Sequence, residues 1–219
     1  MVSISIKDKI MGYNDIIPEG KTLLAVSKTK PVSDILEAYD AWIRDFGENK
    51  VQELLSKKEE LPTDIKWHLI GKLQTNKVKY IVGNVYLIHS LSSIKLLDKI
   101  ESEYSKKNLV ANTLIQINIG REESKSGVLE EDAEDLILAV EKCKYVKVKG
   151  IMVIIPKGDE NSNRYYFRKS KEIYDNLSKN SYLNIKMEIL SMGMTSDFNI
   201  ALEEGSNLVR IGSGIFGER

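Results

Sequence analysis

The chain alternates short apolar runs with longer segments of helical periodicity. The runs are rich in β-branched residues, which is typical of strands that are buried on both faces. Between them, apolar residues recur at the i, i+3, i+4, i+7 spacing of helices that cover one face of a sheet. The clearest of these stripes consist of Ile35, Ala38, Tyr39 and Trp42 and of Ala133, Leu136, Ile137 and Val140.

Eight such runs predict eight strands in an α/β fold. Because neighbouring parallel strands need a connection of helical length, the alternation favours a parallel sheet. Eight units of this kind close into a (β/α)8 TIM barrel, which usually has roughly 250 residues. An open, doubly wound sheet of the same elements is the alternative. The predicted strands are residues 22–26, 43–46, 66–70, 85–88, 113–117, 148–153, 185–190 and 207–211.

The composition is that of a compact globular chain with no net charge. Hydrophobic residues make up 42% and charged residues 29% of the sequence, and we expect a single domain over residues 1–219. The 32 lysines and arginines balance 32 aspartates and glutamates. A net charge of zero disfavours binding to nucleic acid or to an anionic membrane, because both select basic surfaces.

Cysteine content and the length of the apolar runs indicate the compartment. Cys143 is the only cysteine, which excludes an internal disulfide and favours a reducing environment. The longest wholly apolar run, residues 151–155, is far shorter than the roughly 20 residues of a membrane span. Residues 1–13 lack the apolar core of a signal peptide. We therefore expect a cytoplasmic protein, and a monomer because a closed barrel has no free edge strand.

The loops that follow the predicted strands are rich in polar residues and glycine. In a parallel barrel these loops all lie at one end, where the chemistry of this fold takes place. Lys28 follows the first strand, Asn49 the second, Thr195 the seventh, and residues 212–217 the last. We therefore expect a ligand site at this end of the barrel.

Residues 212–217 match the pattern G-x-G-x-x-G of dinucleotide-binding folds. Only two residues follow them, which leaves no helix and no second βαβ unit for a dinucleotide. In a barrel, the loops after the seventh and eighth strands commonly bind phosphate through backbone N–H groups. Thr195 and Ser213 would add hydroxyl donors. A turn that merely needs a positive φ is the alternative interpretation.

Lys28 is the candidate nucleophile, because it shares its side of the pleat with Leu24 and Val26 at the mouth of the predicted barrel. Partial desolvation there would lower the pKa of its amine. A neutral amine is what Schiff-base formation with an aldehyde requires. Lys30 lies two residues later on the same side and is the rival.

The remaining charged residues and the histidines are interpreted from their positions in the predicted strands and helices. Arg210 lies inside the last predicted strand, so it either pairs with a carboxylate such as Glu188 or donates into the site. Lys57 and Lys58 are expected on a solvated helix face. His68 is expected to be a core histidine. No metal site is expected, because the chain has two histidines and no ligand spacing around them.

Seven segments, taken together and in order, resemble the pyridoxal phosphate homeostasis proteins. The barrel of this family is similar to the N-terminal domain of alanine racemase. The resemblance extends from about residue 21 to residue 219. The segments are LAVSKTKP at 24–31, FGEN at 46–49, WHLIG at 67–71, LQTNK at 73–77, SKSG at 124–127, LSMGM at 190–194 and VRIGS at 209–213.

The resemblance implies a covalently bound cofactor. In that family the lysine of the first segment binds pyridoxal 5′-phosphate (PLP) as an internal aldimine, and Lys28 occupies the matching position. This analogy decides between Lys28 and Lys30. The implied cofactor-binding residues are Lys28, Asn49 beside the ring, Thr195, Gly212 and Ser213 at the phosphate, and Arg210 near the pyridine nitrogen.

The sequence departs from the family pattern at four of these or neighbouring positions. Thr195 and Ser213 replace the usual serine and threonine, and both keep a hydroxyl donor. Lys50 stands where a tyrosine is frequent, and Ser92 stands where an aspartate is frequent. We assign no role to the latter two positions.

The resemblance implies a protein that holds and releases PLP for PLP-dependent apoenzymes. An arginine at the pyridine nitrogen keeps that nitrogen unprotonated and weakens the ring as an electron sink. Alanine racemases take a second base from a separate domain or a partner subunit, and we expect no residues for such a domain here. Lys125 is a candidate second amine for release. We assign no catalytic residue.

Two alternative functions keep the same barrel. The first is a fold-type-III PLP enzyme such as an amino-acid racemase, with a second base supplied by a dimer. The second is an aldolase that uses Lys28 for its own Schiff base and binds no cofactor.

Overall fold

The computed structural model of the chain describes residues 4–218, which form a closed barrel of eight parallel strands. The strands are β1 (Thr22–Val26), β2 (Asp45–Glu48), β3 (Lys66–Leu69), β4 (Leu87–Leu91), β5 (Ala111–Ile117), β6 (Val146–Val153), β7 (Ile185–Met194) and β8 (Leu208–Ile211). Each strand pairs with the next, and β8 pairs with β1. The (β/α)8 barrel is therefore confirmed, and the open, doubly wound alternative is wrong.

Helices follow the strands and cover the outside of the barrel. None of those within residues 4–218 is long and apolar enough to cross a membrane. They are α1 (Ile6–Ile16), α2 (Val32–Asp40), α3 (Val51–Glu60), α4 (Val78–Ile81), α5 (Ile94–Ser105), α6 (Ala133–Val140), α7 (Glu160–Ser178), α8 (Phe198–Glu203) and α9 (Ser213–Phe216), with a 3-10 turn at Thr75–Lys77.

The two predicted helical stripes have different outcomes. All four apolar residues of the second stripe are buried in α6, as predicted. The first stripe ends early, because α2 ends before Trp42, whose side chain is 83% exposed. Trp42 has a φ of 70°, and the next N–H, that of Ile43, bonds back to the carbonyl of Ala38. This left-handed residue closes the helix, so the prediction that Trp42 packs on the sheet is wrong.

The apolar runs located the strands but not their ends. The predicted strand 22–26 coincides with β1, whereas 43–46 and 85–88 begin two residues before β2 and β4. Both observed strands continue into buried polar residues, Glu48 in β2 and His89 and Ser90 in β4. An apolar run marks only the nonpolar part of a strand, and it misses polar residues that are buried inside the protein.

One layer of the barrel interior is filled by apolar side chains, and the next layer, toward the carboxyl ends of the strands, opens into a cavity. Along each strand, side chains alternate between the interior and the surrounding helices. Leu87, Leu114 and Met152 form a small apolar cluster in the interior. The next inward-facing residues, Gln116 of β5 and Ile154 directly after β6, line a cavity at the carboxyl ends of the strands.

Gly150 provides a test of the strand pairing between β6 and β7. Its φ is 146°, and a Cβ atom built on it would lie 1.8 Å from the carbonyl oxygen of Ile189. A side chain there meets backbone, which no rotamer change can relieve. We expect Gly150→Ala to lower the free energy of unfolding by at least about 2 kcal/mol, measured by urea denaturation.

The matched control is Gly12→Ala in α1, where a Cβ atom would have no neighbour within 4 Å. Alanine in a helix interior stabilises by about 0.5–1 kcal/mol relative to glycine. The two substitutions should therefore change stability in opposite directions. Equal effects, or no loss at position 150, would contradict the observed β6–β7 register.

Candidate functional site

A cavity of about 970 Å³ lies at the carboxyl ends of the strands, within the roughly 300–1,000 Å³ range of small-molecule sites. Among the described residues that line it, five are basic and one, Glu218, is acidic. The cavity is therefore locally basic although the chain has no net charge. It brings together all six residues that were predicted to bind the cofactor, Lys28, Asn49, Thr195, Arg210, Gly212 and Ser213.

The structure gives the two rival lysines different surroundings. Lys28 is half-buried, lies two residues after the end of β1 and lines the cavity. The Nζ of Lys30 donates to the carbonyl oxygens of Phe216, Gly217 and Glu218 at 3.0, 3.1 and 3.1 Å. Three acceptors match the three N–H donors of an ammonium group. Lys30 therefore anchors the segment after α9, which forms part of the cavity wall.

The peptide groups on both sides of Lys28 are held by side chains of α3. The Nζ of Lys57 donates to the Ser27 carbonyl at 2.9 Å, and the Glu53 carboxylate accepts the Thr29 N–H. Lys57 also bonds Glu48 Oε1 at 2.8 Å and Glu53 Oε1 at 2.7 Å. We call Ser27, Glu48, Glu53 and Lys57 the loop anchor. It fixes the backbone that carries Lys28.

The loop anchor combines opposite charges in a dry environment. Glu48 is fully buried and Lys57 is 6% exposed, so the prediction that Lys57 lies on a solvated face is wrong. Burial raises the pKa of Glu48, against hydrogen bonds from Lys57 and Ser27 that lower it. Burial also acts to raise the pKa of Glu53, but bonds from Lys57 and the Thr29 N–H outweigh it, and the pKa is lowered. Lys57 is thus the cation that compensates both carboxylates.

Arg210 lies on the inner face of β8 and is 4% exposed. Its Nη1 donates to Ser191 Oγ at 2.7 Å, and its Nη2 donates to the Val153 carbonyl at 2.9 Å. Burial lowers the pKa of Arg210 to about 10, so the guanidinium keeps its charge at neutral pH. The alternative pairing with Glu188 is wrong, because that carboxylate pairs with Lys186 and Lys149.

The glycine-rich turn after β8 is packed closely against its neighbours. A Cβ atom at Gly214 would lie 1.9 Å from the hydroxyl oxygen of Tyr13, which belongs to α1. The Gly214 N–H donates to Thr195 Oγ1 at 3.4 Å. Within this turn a positive φ occurs at Gly217, while Gly212 has a φ of −112°. Close approach therefore explains Gly214, and the positive-φ interpretation applies to Gly217.

Lys125 was the candidate second amine for release, and Lys50 and Ser92 were assigned no role. Lys125 lines the cavity and pairs with Glu122, whereas Lys50 and Ser92 are not among the lining residues. The loop anchor was not among the predicted residues. Its signal was Glu48, an acidic residue in a buried strand next to Asn49.

His68 is buried, as predicted, and lies below the cavity. Its Nε2 is 2.9 Å from Asp45 Oδ1, and its Nδ1 is 2.9 Å from His89 Nε2. Residues 4–218 contain no group of three or more histidine, cysteine, aspartate or glutamate side chains that could hold a metal ion.

Sequence comparisons identify the family. Residues 5–219 match the family described as the N-terminal domain of alanine racemase. The pyridoxal phosphate homeostasis protein of Aquifex aeolicus is 46% identical over 199 residues, which cover 90% of this chain and 86% of that protein. The chain belongs to the pyridoxal phosphate homeostasis protein family. The family member from Escherichia coli is 37% identical over 206 residues, 92% of this chain and 87% of its own length.

Solved structures with the same fold agree with this assignment. PipY of Synechococcus elongatus without PLP is 31% identical, with a TM-score of 0.92 and coverage of 97% of this chain and 100% of PipY. PipY with PLP bound has a TM-score of 0.88. An alanine racemase of Clostridium difficile is 13% identical with a TM-score of 0.84, and this chain covers 57% of it. At that identity the racemase shows the shared fold alone.

Lys57→Met tests the loop anchor. The substitution keeps the length of the side chain but leaves the buried Glu48 carboxylate without its cation. Removing one partner of a buried pair costs about 3–5 kcal/mol, so we expect a loss of unfolding free energy of that order in urea denaturation. Glu48→Gln in the same background should recover part of the loss, because it removes the uncompensated charge.

The control is Lys58→Met, the same change at the next residue. Lys58 is half-buried, and its Nζ donates to Asn84 Oδ1 at 3.1 Å; within residues 4–218 it pairs with no carboxylate. Its loss should cost at most about 1 kcal/mol. Similar losses in the two variants, or no recovery with Glu48→Gln, would contradict the role given to Lys57.

Proposed function

We propose that the protein binds PLP as a Schiff base on Lys28 and serves as a holder from which PLP is released to apoenzymes. One observation carries this proposal: a lysine, a buried arginine, the Thr195 hydroxyl after β7 and the Ser213 hydroxyl of the glycine-rich turn line a single cavity. These groups match the three chemical features of PLP, which are its aldehyde, its pyridine nitrogen and its phosphate. The PLP-bound structure of PipY, 31% identical, supports the same ligand.

The residues present fit the cofactor. Arg210 presents a buried guanidinium to the cavity, and a guanidinium has only donors, which suits an unprotonated pyridine nitrogen. Thr195 and Ser213 offer hydroxyl groups, and the Gly212–Ser213 backbone approaches the cavity without a Cβ atom at Gly212. The excess of basic residues around the cavity favours a ligand with a dianionic phosphate.

The covalent step uses the amine of Lys28. In its neutral form, Nζ adds to the aldehyde carbon, the C=N bond forms, and one water molecule leaves. Hydrolysis of the same bond returns the amine and the aldehyde. The loop anchor holds the peptide groups on both sides of Lys28, which keeps the amine at the cavity wall.

A holder suits these residues better than a racemase does. The pKa of Arg210, about 10, keeps its side chain cationic at neutral pH, so it donates to the ring nitrogen without protonating it. An unprotonated ring is a weak sink for the electrons of a substrate carbanion. We further propose that the protein acts in the cytoplasm as a monomer.

Trapping the bond with borohydride tests the proposal. The protein is incubated with PLP, reduced and digested, and the peptides are analysed by mass spectrometry. We expect a visible absorbance band before reduction and a pyridoxyl adduct on Lys28 after it. Lys28→Ala should lose both.

Lys30→Ala is the matched control, because its amine is bonded to carbonyl groups and has no assigned role in the covalent bond. It should keep the band and the adduct on Lys28. A coloured Lys28→Ala protein, or an adduct on Lys30, Lys72 or Lys125 of the wild type, would contradict the assignment. Absence of any adduct in the wild type would favour an aldolase that binds no cofactor.

Deuterium exchange separates a holder from a racemase. The PLP-loaded protein is incubated with L-alanine in D2O, and the amino acid is analysed by mass spectrometry and chiral chromatography. We expect neither Cα deuterium nor D-alanine at rates comparable to those of a dedicated racemase. Exchange at such rates would overturn the holder function and leave the site assignment intact.

A further inference from the structure

Five polar side chains form a continuous chain of contacts through the barrel interior. They connect the amino-terminal end of β2 to the cavity at the opposite end. His68 Nε2 is 2.9 Å from Asp45 Oδ1, and His68 Nδ1 is 2.9 Å from His89 Nε2. His89 Nδ1 is 3.4 Å from Ser191 Oγ, which accepts from Arg210 Nη1 at 2.7 Å. We call Asp45, His68, His89, Ser191 and Arg210 the relay.

Because the relay is buried, the loss of any of these contacts would cost free energy. His89 and Ser191 are fully buried, His68 is 1% exposed and Arg210 is 4% exposed. A buried polar group that loses its partner costs about 1–3 kcal/mol. Asp45, whose side chain is 20% exposed, is the end of the relay that solvent reaches.

The electrostatics favour neutral imidazole rings in the middle of the relay. Burial lowers the pKa of His68, although Asp45 acts in the opposite direction. Burial, His68 and Arg210 together lower the pKa of His89 well below its usual value. The other charged group facing the acidic end is Lys66, whose Nζ is 4.0 Å from Asp45 Oδ2.

With neutral rings, one arrangement of protons satisfies every contact. A carboxylate only accepts, so His68 donates from Nε2 and accepts at Nδ1. His89 must then donate from Nε2 and accept at Nδ1. Ser191 gives its hydroxyl proton to His89 and keeps a lone pair for Arg210. All donors therefore point from the guanidinium toward the carboxylate.

We infer that the relay positions Arg210 by linking its guanidinium to the Asp45 carboxylate across the barrel. The hydrogen bonds of Arg210 go to a hydroxyl and a carbonyl. The Asp197 carboxylate acts on the guanidinium electrostatically without a hydrogen bond, so the relay connects Arg210 to a second carboxylate, Asp45, through Ser191 and the two histidines. Asp45, His68, His89 and Ser191 are positioning residues, and both histidines carry their proton on Nε2. The effect on the cofactor rests on the proposed PLP-binding function, whereas the relay itself does not.

Nuclear magnetic resonance of the protein without added PLP tests the proton arrangement. The chain has two histidines, so ¹⁵N-histidine labelling gives two sets of ring signals. At neutral pH we expect both rings to be neutral with the proton on Nε2. A proton on Nδ1 of either ring, or a cationic ring, would overturn the arrangement.

Asp45→Ala tests whether a change at one end of the relay alters the hydrogen bonds farther along it. We expect it to change the ring signals of His89 as well as those of His68, although His68 is the member of the relay that Asp45 contacts. The control is Asp64→Ala, which removes an aspartate that precedes β3 and pairs with Arg44 outside the relay. It should leave both rings unchanged. A change confined to His68 would contradict transmission. If Asp45→Ala does not fold, Ser191→Ala interrupts the relay from the other side and should likewise change both rings.

PLP binding is the second readout, since Asp45 lies at the far end of the barrel from the cavity. We expect Asp45→Ala and Ser191→Ala to release PLP about three- to tenfold faster than the wild type, with a shifted visible band. Asp64→Ala should match the wild type. Unchanged release and spectra in both relay variants would refute positioning. If the wild type binds no PLP, the proposed function fails while the histidine signals still decide the relay.

Discussion

Pairing between β1 and β8 is the constraint on which the site depends, because it makes neighbours of residues from opposite ends of the chain. Leu24 pairs with Arg210, and Ala25 pairs with Ile211. Lys28 follows β1 and the glycine-rich turn follows β8, so both reach the same end of the barrel. A Cβ atom on Gly212 would lie 3.5 Å from Val26. An open sheet would leave the two strands at separate edges, and the cavity would lose two of its walls.

Two buried ionic systems hold the residues that follow β1 and those of β8. In the loop anchor, Lys57 of α3 compensates the carboxylates of Glu48 and Glu53 and bonds the Ser27 carbonyl next to Lys28. The relay approaches through the barrel interior and ends at Arg210. Both combine charges with low exposure, where an unpaired ion is costly. The backbone of Lys28 and the guanidinium of Arg210 are thus both held by buried hydrogen bonds.

Much of this architecture was predictable, because periodicity and strand-end chemistry are local properties of a sequence. The alternation of runs and stripes predicted the barrel, and Lys28 and residues 212–217 were recognisable at strand ends. Trp42 was placed wrongly because the spacing of apolar residues does not reveal a left-handed backbone conformation. In the sequence it is simply one more apolar position of the helical stripe. Lys57 misled because a charged residue beside Lys58 resembles a solvated face, and its carboxylate partners depend on tertiary packing. The local excess of basic residues was hidden in a net charge of zero.

A crystal structure of the protein soaked or grown with PLP would show directly which side chains hold the cofactor. We expect continuous density from the Nζ of Lys28 to the cofactor. We also expect the Arg210 guanidinium at the pyridine nitrogen and the phosphate against Thr195 and Ser213. A cofactor bound through another lysine, or one with its phosphate toward Arg210 and away from the glycine-rich turn, would contradict this mode of binding.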